Sequence, residues 1–329
     1  MNNKYKFIEV CSGAGGLSSG LIKAGFIPLL LNDNNKDCCK TLLANHNNVN
    51  VICNPMEKLD LTSYIGCVDL LAGGIPCQSY STAGIRKGLE DERGKLIYIF
   101  IKMIQTLKPK IFMIENVKGL LSHDGGKTIL KIIDMLDEDK IYNIEYKLLN
   151  AVNYNVPQKR ERVFIIGTLK NIKFKFPEAN KKTIVLRDVL MDVPISIGDK
   201  YNEKKIKLFE KIPQGGCWIN LPIEEQKSYL GKSYFSGGGK RGILHRLSMD
   251  KPSLTLLCCA SQKQTERCHP LECRPLNIRE YARIQTFPDD YIFTGSMRSQ
   301  YKQIGNAIPV ELARQIGCCL IEALSQSVD

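Results

Sequence analysis

Lys6-Phe-Ile-Glu-Val-Cys-Ser-Gly-Ala-Gly-Gly-Leu17 is the stretch on which the fold turns. Lys6 to Cys11 reads as a strand, Ser12 to Gly16 as a glycine turn, and the residues from Leu17 through Ala24 as a helix. A strand, a glycine turn and a helix form the first half of a nucleotide-binding βαβ unit. In such units, glycines let a ligand approach the backbone at a helix N-terminus. The spacing departs from the dinucleotide fingerprint, because serine stands at the third glycine position of Gly13-x-Gly15-x-x-Ser18. A second unit follows at once: the apolar run Phe26 to Leu31 ends at Asn32-Asp33. An acid about 20 residues beyond the glycine turn is placed to accept hydrogen bonds from ribose hydroxyls. A plain turn role for Asp33 is the alternative.

Further along, Val68 to Ala72 reads as another buried strand and leads into Gly73-Gly-Ile-Pro-Cys-Gln-Ser-Tyr-Ser81, which presents Cys77 just past a carboxyl edge. Val49 to Cys53 is a short third strand between these units. After Cys77, the glycines at 84, 88 and 94 space a polar loop that carries Arg86 and Lys87. A helix over Leu96 to Leu107 stops before Pro109, and the strand Lys110 to Ile114 ends in Glu115-Asn116-Val117, on the same edge as Cys77. Helix 129–136 and strand 144–149 precede Asn153 to Arg162, a turn dense in planar and cationic donors, and then the strand Val163 to Ile166. Arg160 and Arg162 alternate, so they share one face of an extended segment.

Over 170–275 the periodicity fades and glycines and lysines dominate, as in Gly237-Gly238-Gly239-Lys240-Arg241. This reads as a smaller, loop-rich, largely β domain with Ser253 to Leu257 as its clearest strand. Asn277 to Phe287 is an amphipathic helix. Gln303 to Val310 is a second glycine-asparagine turn, feeding a helix to Leu324 that packs back on the first domain. The fold class is therefore α/β, a doubly wound sheet with a smaller second domain.

The chain has 329 residues, beyond what one core usually fills. Its net charge of +12 is unevenly spread: Lys+Arg exceeds Asp+Glu by 18 to 16 over 1–150 and by 25 to 13 over 151–283, then falls short by 3 to 5 over 284–329. An excess this localised favours a polyanionic partner. The thirteen cysteines form no Cys-x-x-Cys, and the four histidines show no ligand spacing, so no metal site is expected. No run approaches the roughly 18 apolar residues of a membrane span, and the polar N-terminus is unlike a signal peptide. A cytoplasmic location follows as an expectation.

Six motifs in order resemble the cytosine C5 DNA methyltransferases of bacterial restriction-modification systems. They are Ser12-Gly13-Ala14-Gly15-Gly16, Pro76-Cys77-Gln78, Glu115-Asn116-Val117, Gln158-Lys159-Arg160-Glu161-Arg162, Arg279 to Gln285 with Phe287-Pro288, and Gly305-Asn306. The resemblance implies an S-adenosylmethionine-dependent methyltransferase sheet over 1–170, completed by about 300–329, with a target-recognition domain over 171–299. It implies S-adenosyl-L-methionine as donor, S-adenosyl-L-homocysteine as product, no metal, and double-stranded DNA as substrate. A cognate restriction endonuclease acting separately, no membrane and a monomeric state complete the expected partners.

By the same resemblance, the Cys77 thiolate adds to C6 of a flipped cytosine. Glu115 holds the N3 and N4 edge, donating to N3 from a protonated carboxyl, and Arg162 binds O2. Arg160 positions the loop or the DNA, and Gln158 belongs to the same catalytic set. The donor is assigned to Cys11, Gly13, Ala14, Gly15, Gly16, Leu17, Asp33, Asn54, Pro76, Leu96 and Asn306. The family usually has an aromatic residue at Cys11 and Gly-Asp where this chain reads Asn54-Pro55, which puts the adenine contacts in question. Arg86, Lys87, Arg241, Arg246, Gln262, Gln264 and Arg267 are candidates for DNA contact. A nicotinamide-dependent oxidoreductase is disfavoured by the missing third glycine and the basic excess.

Overall fold

The computed structural model describes residues 5–75, 95–236 and 242–326. The chain divides into two compact units, one of residues 1–154, 161–181 and 307–329, the other of 155–160 and 182–306. These boundaries lie eleven residues beyond the expected 170 and seven beyond the expected 300, and the short segment 155–160 goes with the second unit.

In chain order the first unit contains β1 (Lys6–Val10), α1 (Gly16–Ala24), β2 (Ile27–Asp33), α2 (Lys36–Asn45), β3 (Asn50–Cys53), β4 (Leu70–Gly74), α3 (Lys95–Leu107), β5 (Ile111–Val117), α4 (Lys127–Leu136) and β6 (Tyr142–Asn150). After β7 (Gln158–Lys159), which belongs to the second unit, β8 (Glu161–Leu169) rejoins the first. Among the described residues the sheet has seven strands in the order β3-β2-β1-β4-β5-β8-β6. Neighbours from β3 through β5 are parallel, while β8 runs antiparallel to both β5 and β6. The order reverses between β1 and β4. Their connections depart to opposite sides there, which opens a crevice at their carboxyl ends.

The near-continuous apolar strands fit a sheet covered on both faces. Ile8, Val10, Leu71, Phe112, Ile114, Val163 and Ile165 share one core with Ile97, Phe100 and Ile104 of α3 and Ile129 and Ile132 of α4. Phe7, Leu70, Ala72, Met113 and Phe164 occupy the alternate positions and are equally buried. Burial of each such large side chain stabilises by about 1.5–3 kcal/mol, so this two-sided core dominates the fold.

The second unit holds α5 (Glu203–Glu210), α6 (Ile223–Leu230), β9 (Ser253–Leu254), α7 (Ile278–Ile284) and α8 (Met297–Asn306). Its core gathers Phe209, Ile212, Leu221, Leu230 and Leu244, with Tyr201 stacked on Phe209 at 5.0 Å between ring centroids. The unit is loop-rich as expected. Its regular elements among the described residues, however, are mainly helices, and its only sheet is the parallel pair β7-β9. The strand expected over Ser253 to Leu257 stops at Leu254 because side chains replace the ladder. Gln158 Oε1 accepts the Leu256 N–H at 3.0 Å, Arg267 donates to the Thr255 carbonyl at 3.2 Å, and Arg160 donates to the Leu256 carbonyl at 3.3 Å. No helix among the described residues is long and apolar enough to cross a membrane.

The final helix, α9 (Val310–Gln326), returns to the first unit and packs on α1 along a seam of small residues. A methyl group placed on Gly20 would lie 2.5 Å from the Val310 carbonyl oxygen and 2.7 Å from the Arg314 nitrogen, and one on Gly317 would lie 2.8 Å from Ala24 Cβ. The two backbones approach too closely for larger side chains. Gly20→Ala is therefore expected to destabilise the protein by about 1–3 kcal/mol through overpacking. Urea unfolding measures this, and an unchanged midpoint would contradict the seam.

Candidate active site

At the end of β1 the chain leaves the extended conformation abruptly, with φ of 54° at Cys11, 56° at Gly13 and 80° at Gly15. Long-range hydrogen bonds hold this turn. The Ser12 N–H donates to the Asn32 carbonyl at 2.9 Å, the Gly15 N–H to the Ser12 carbonyl at 2.9 Å, and the Gly13 N–H to Asp33 Oδ2 at 2.8 Å. The other Asp33 oxygen accepts the Asn35 N–H at 2.8 Å. Asp33, read from sequence as a ribose ligand, thus braces the glycine turn itself. A carboxylate has lone pairs for more than these two donors. Nothing lies within 4 Å of where a Gly13 side chain would begin, and Gly15 caps α1 with no side-chain hydrogen bond. No side chain caps the N-terminus of α1, the position helices offer to carboxylates and phosphates. Ala14, Gly16 and Leu17 are buried, and Leu96 is half-buried against the core shared with α3.

Two residues not singled out in the sequence shape the neighbourhood. Asn32, buried at the end of β2, donates to the carbonyls of Ile52 at 2.9 Å and Asn54 at 2.8 Å, fixing the end of β3. Asn54 itself is exposed, and Cys11 donates its thiol to Met56 Sδ at 3.7 Å. Glu9, near the end of β1, is the other.

Across the switch point, β4 and β5 pair so that Gly74 stands beside Glu115. A Gly74 side chain would begin 3.6 Å from Glu115 Oε2, so glycine leaves that carboxyl room. The antiparallel pairing of β5 with β8 brings Val117 opposite Arg162. Arg162 Nε then meets Glu115 Oε1 at 2.8 Å, with side-chain exposures of 16% and 13%. A second Arg162 nitrogen donates to the Glu161 carbonyl at 2.8 Å, which fixes the guanidinium plane. The pair is mostly shielded from water. Asn116, buried between them in sequence, donates to the Ile75 carbonyl at 3.3 Å and anchors the backbone where it leaves β4. Its signal was present in Glu115-Asn116-Val117: a polar residue closing an apolar strand is buried only when its hydrogen bonds are met.

In the second unit, Gln158 and Arg160 are interior residues. Gln158 donates to Gln285 Oε1 at 2.9 Å, and Gln285 in turn donates to the Ile304 carbonyl at 2.7 Å. Arg160, 1% exposed, donates to the carbonyls of Gly305 at 3.0 Å and Asn306 at 3.3 Å as well as to Leu256. Arg160 thus holds the Gly305-Asn306 turn directly, and Gln158 is tied to it through Gln285. Asn306 is exposed and its Oδ1 accepts the Cys258 thiol at 3.0 Å. Of the residues named for DNA contact, Arg246 donates to the carbonyls of Phe209, Ile212 and Pro270, and Arg267 is buried with bonds to Glu266 and Thr255. Arg246, half-buried, and Arg267, buried, thus brace the unit, whereas Gln262 and Gln264 are exposed. Pro76, Cys77, Arg86, Lys87 and Arg241 lie outside the described residues.

The model of the C-5 cytosine-specific DNA methylase family matches residues 5–322. The Type II methyltransferase M.PspPI of Psychrobacter sp. (strain TA137) is 48% identical over 335 residues, covering 98% of this chain and 80% of the relative. The Type II methyltransferase M.Eco47II of Escherichia coli is 44% identical over 336 residues, covering 99% and 81%. Among solved structures, the Entamoeba histolytica methyltransferase EhMeth superposes with a TM-score of 0.69 at 18% identity, over 98% of this chain and 99% of that one. At that identity the structural match speaks for the fold alone.

Burial pushes the Glu9 carboxyl up to about 8, against the Ser18 hydroxyl and N–H, with nearby Asp33 adding to the rise. The unfolded chain loses this proton near its ordinary value of 4.5, so between 4.5 and about 8 the folded state alone retains it. Stability therefore declines as pH rises through that window. Glu9→Gln is expected to remove the decline, gaining on the natural protein in melting temperature from about pH 5 to about pH 8. Calorimetry at the two pH values checks it, and parallel pH dependences would contradict the assignment.

Proposed function

This chain belongs to the C-5 cytosine-specific DNA methylase family and is a DNA cytosine-5 methyltransferase, and from that premise we propose how its residues divide the work. The observation that carries the reading is the shielded Glu115–Arg162 pair beside Gly74, at the sheet edge from which the chain runs on to Cys77. Family membership implies S-adenosylmethionine, and the residues present suit it. The uncapped N-terminus of α1 and the open glycine turn would take the methionine carboxylate, Asp33 the ribose hydroxyls, and Cys11, Asn54, Pro76 and Leu96 would border the remainder. When bound, this group supplies an electrophilic methyl.

The Cys77 thiolate adds to C6 of the cytosine, and the displaced electron pair makes C5 nucleophilic. Arg162 donates to O2 and Glu115 engages the N3 and N4 edge, so charge that builds on the ring meets groups already oriented. After C5 gains the methyl, its proton leaves to a base, and the electron pair released expels the Cys77 thiolate. The thiol is thereby regenerated.

Recognition of the DNA sequence is assigned to the second unit, with Gln262 and Gln264 as exposed candidates for base edges. Type II methyltransferases are the relatives, so the role proposed is the modification component of a restriction-modification system acting on duplex DNA.

Incubation with duplexes containing 5-fluorocytosine and the methyl donor tests the chemistry, because fluorine at C5 cannot leave as a proton. A stable protein–DNA adduct is expected, Cys77→Ser should abolish it, and an adduct that survives this change would exclude Cys77 as nucleophile. Arg162→Lys is expected to lower kcat by about 10²–10³, as loss of one oriented donor typically does. Arg246→Ala should cost about 1–3 kcal/mol of stability by leaving buried carbonyls unpaired. Gln262→Ala and Gln264→Ala should leave stability unchanged and alter which duplexes are methylated, as seen by urea unfolding and bisulfite sequencing.

A further inference from the structure

Glu9, next to last in β1, is in register with Leu31 of β2 and Ala72 of β4, and is 1% exposed. It lies directly beneath the glycine turn. Its carbonyl accepts the Ser12 hydroxyl at 3.1 Å, and its carboxyl faces the N–H and hydroxyl of Ser18 in the first turn of α1. Oε2 is buried with no hydrogen-bond partner among the described residues. The charged group that faces it from β2 is Asp33, itself bonded to the Gly13 N–H; α1 contributes Ser18, and β4 contributes the apolar Leu71 and Ala72. No lysine or arginine among the described residues offsets a charge at this point. An ionised Glu9 beside Asp33 is costly, and the cost falls when a cation enters nearby.

Resting on the placement of the donor at this turn, we propose that Glu9 is a positioning residue that gives up its proton when the cationic methyl donor occupies the Gly13–Leu17 turn and regains it when the uncharged thioether product is formed. S-adenosylmethionine carries one positive charge more than S-adenosylhomocysteine, at the sulfonium. The proton passes to solvent as the donor binds and returns from solvent after the methyl is transferred. The site therefore holds the donor more tightly than the product by a margin that depends on pH. The sign follows from linkage: affinity for the donor rises with pH up to the midpoint of the free site, about 8, and levels above it. Affinity for the product changes less.

Titration calorimetry of the full chain in phosphate and in Tris reads the protons released per ligand bound. The donor is expected to release a substantial fraction of a proton near neutral pH, the product less. The donor Kd should tighten about three- to tenfold from about pH 6.5 to about pH 8.5. Glu9→Gln should still bind the donor but lose both the extra release and the extra pH dependence. The amino group of the ligand titrates alike in both proteins, so the difference between them belongs to Glu9. Ser18→Ala removes a hydroxyl beside the carboxyl that favours its ionised form and should move the tightening to higher pH, a test that stands even if Glu9→Gln does not fold. Equal proton release by the natural protein and Glu9→Gln, equal pH dependence for donor and product, or no shift in Ser18→Ala would overturn the inference. Failure of the natural protein to bind the donor at any pH would instead overturn the donor's placement, and the role of Glu9 with it.

Discussion

The bond from the Gly13 N–H to Asp33 ties the end of β1 to the end of β2 at the place where the sheet order reverses. A backbone with positive φ at Cys11, Gly13 and Gly15 does not persist without outside restraint, and that restraint is a carboxylate two strand ends away. Because the turn is held, α1 begins at a defined point. The helix axis is in turn set by the glycine seam with α9, so the last helix of the chain helps to hold the first turn.

Polar residues in this protein fall into two physical classes that look alike in a motif. Arg160 and Arg162 are two positions apart and share a strand-like segment, yet Arg160 binds three backbone carbonyls in the interior of one unit while Arg162 pairs with a carboxylate at a sheet edge. A guanidinium satisfied by carbonyls is committed to structure, since removing it leaves buried acceptors unpaired. One held by a single carboxylate and one carbonyl can be recruited by a substrate oxygen. Gln158 belongs with Arg160, and Asn116 beside Glu115 serves the site by holding the backbone at Ile75.

Much of the sheet could be read from the chain. Apolar runs of strand length ending in glycine, Asn-Asp or Glu-Asn marked β1, β2, β4 and β5 and placed Gly13, Asp33 and Glu115 at one edge. Those signals are local: periodicity, turn residues and chain spacing operate within about ten residues. The second unit was less legible. Its expected strand gives way to side-chain bonds from Gln158, Arg160 and Arg267, residues as many as 98 positions away, and no local pattern encodes such partners.

By itself the sequence determined the alternation of strands and helices, the glycine turn, the basic middle segment and the identity of the groups at the carboxyl edge. Tertiary structure alone decided that β8 enters the sheet antiparallel and so carries Arg162 to Glu115. It also decided that Arg246 and Arg267 are tied up with backbone carbonyls, and that Glu9 is buried against α1 beneath the turn it supports. The reason is common to all three. The charge state and availability of a polar side chain depend on what surrounds it, and those surroundings are assembled from segments far apart in the chain.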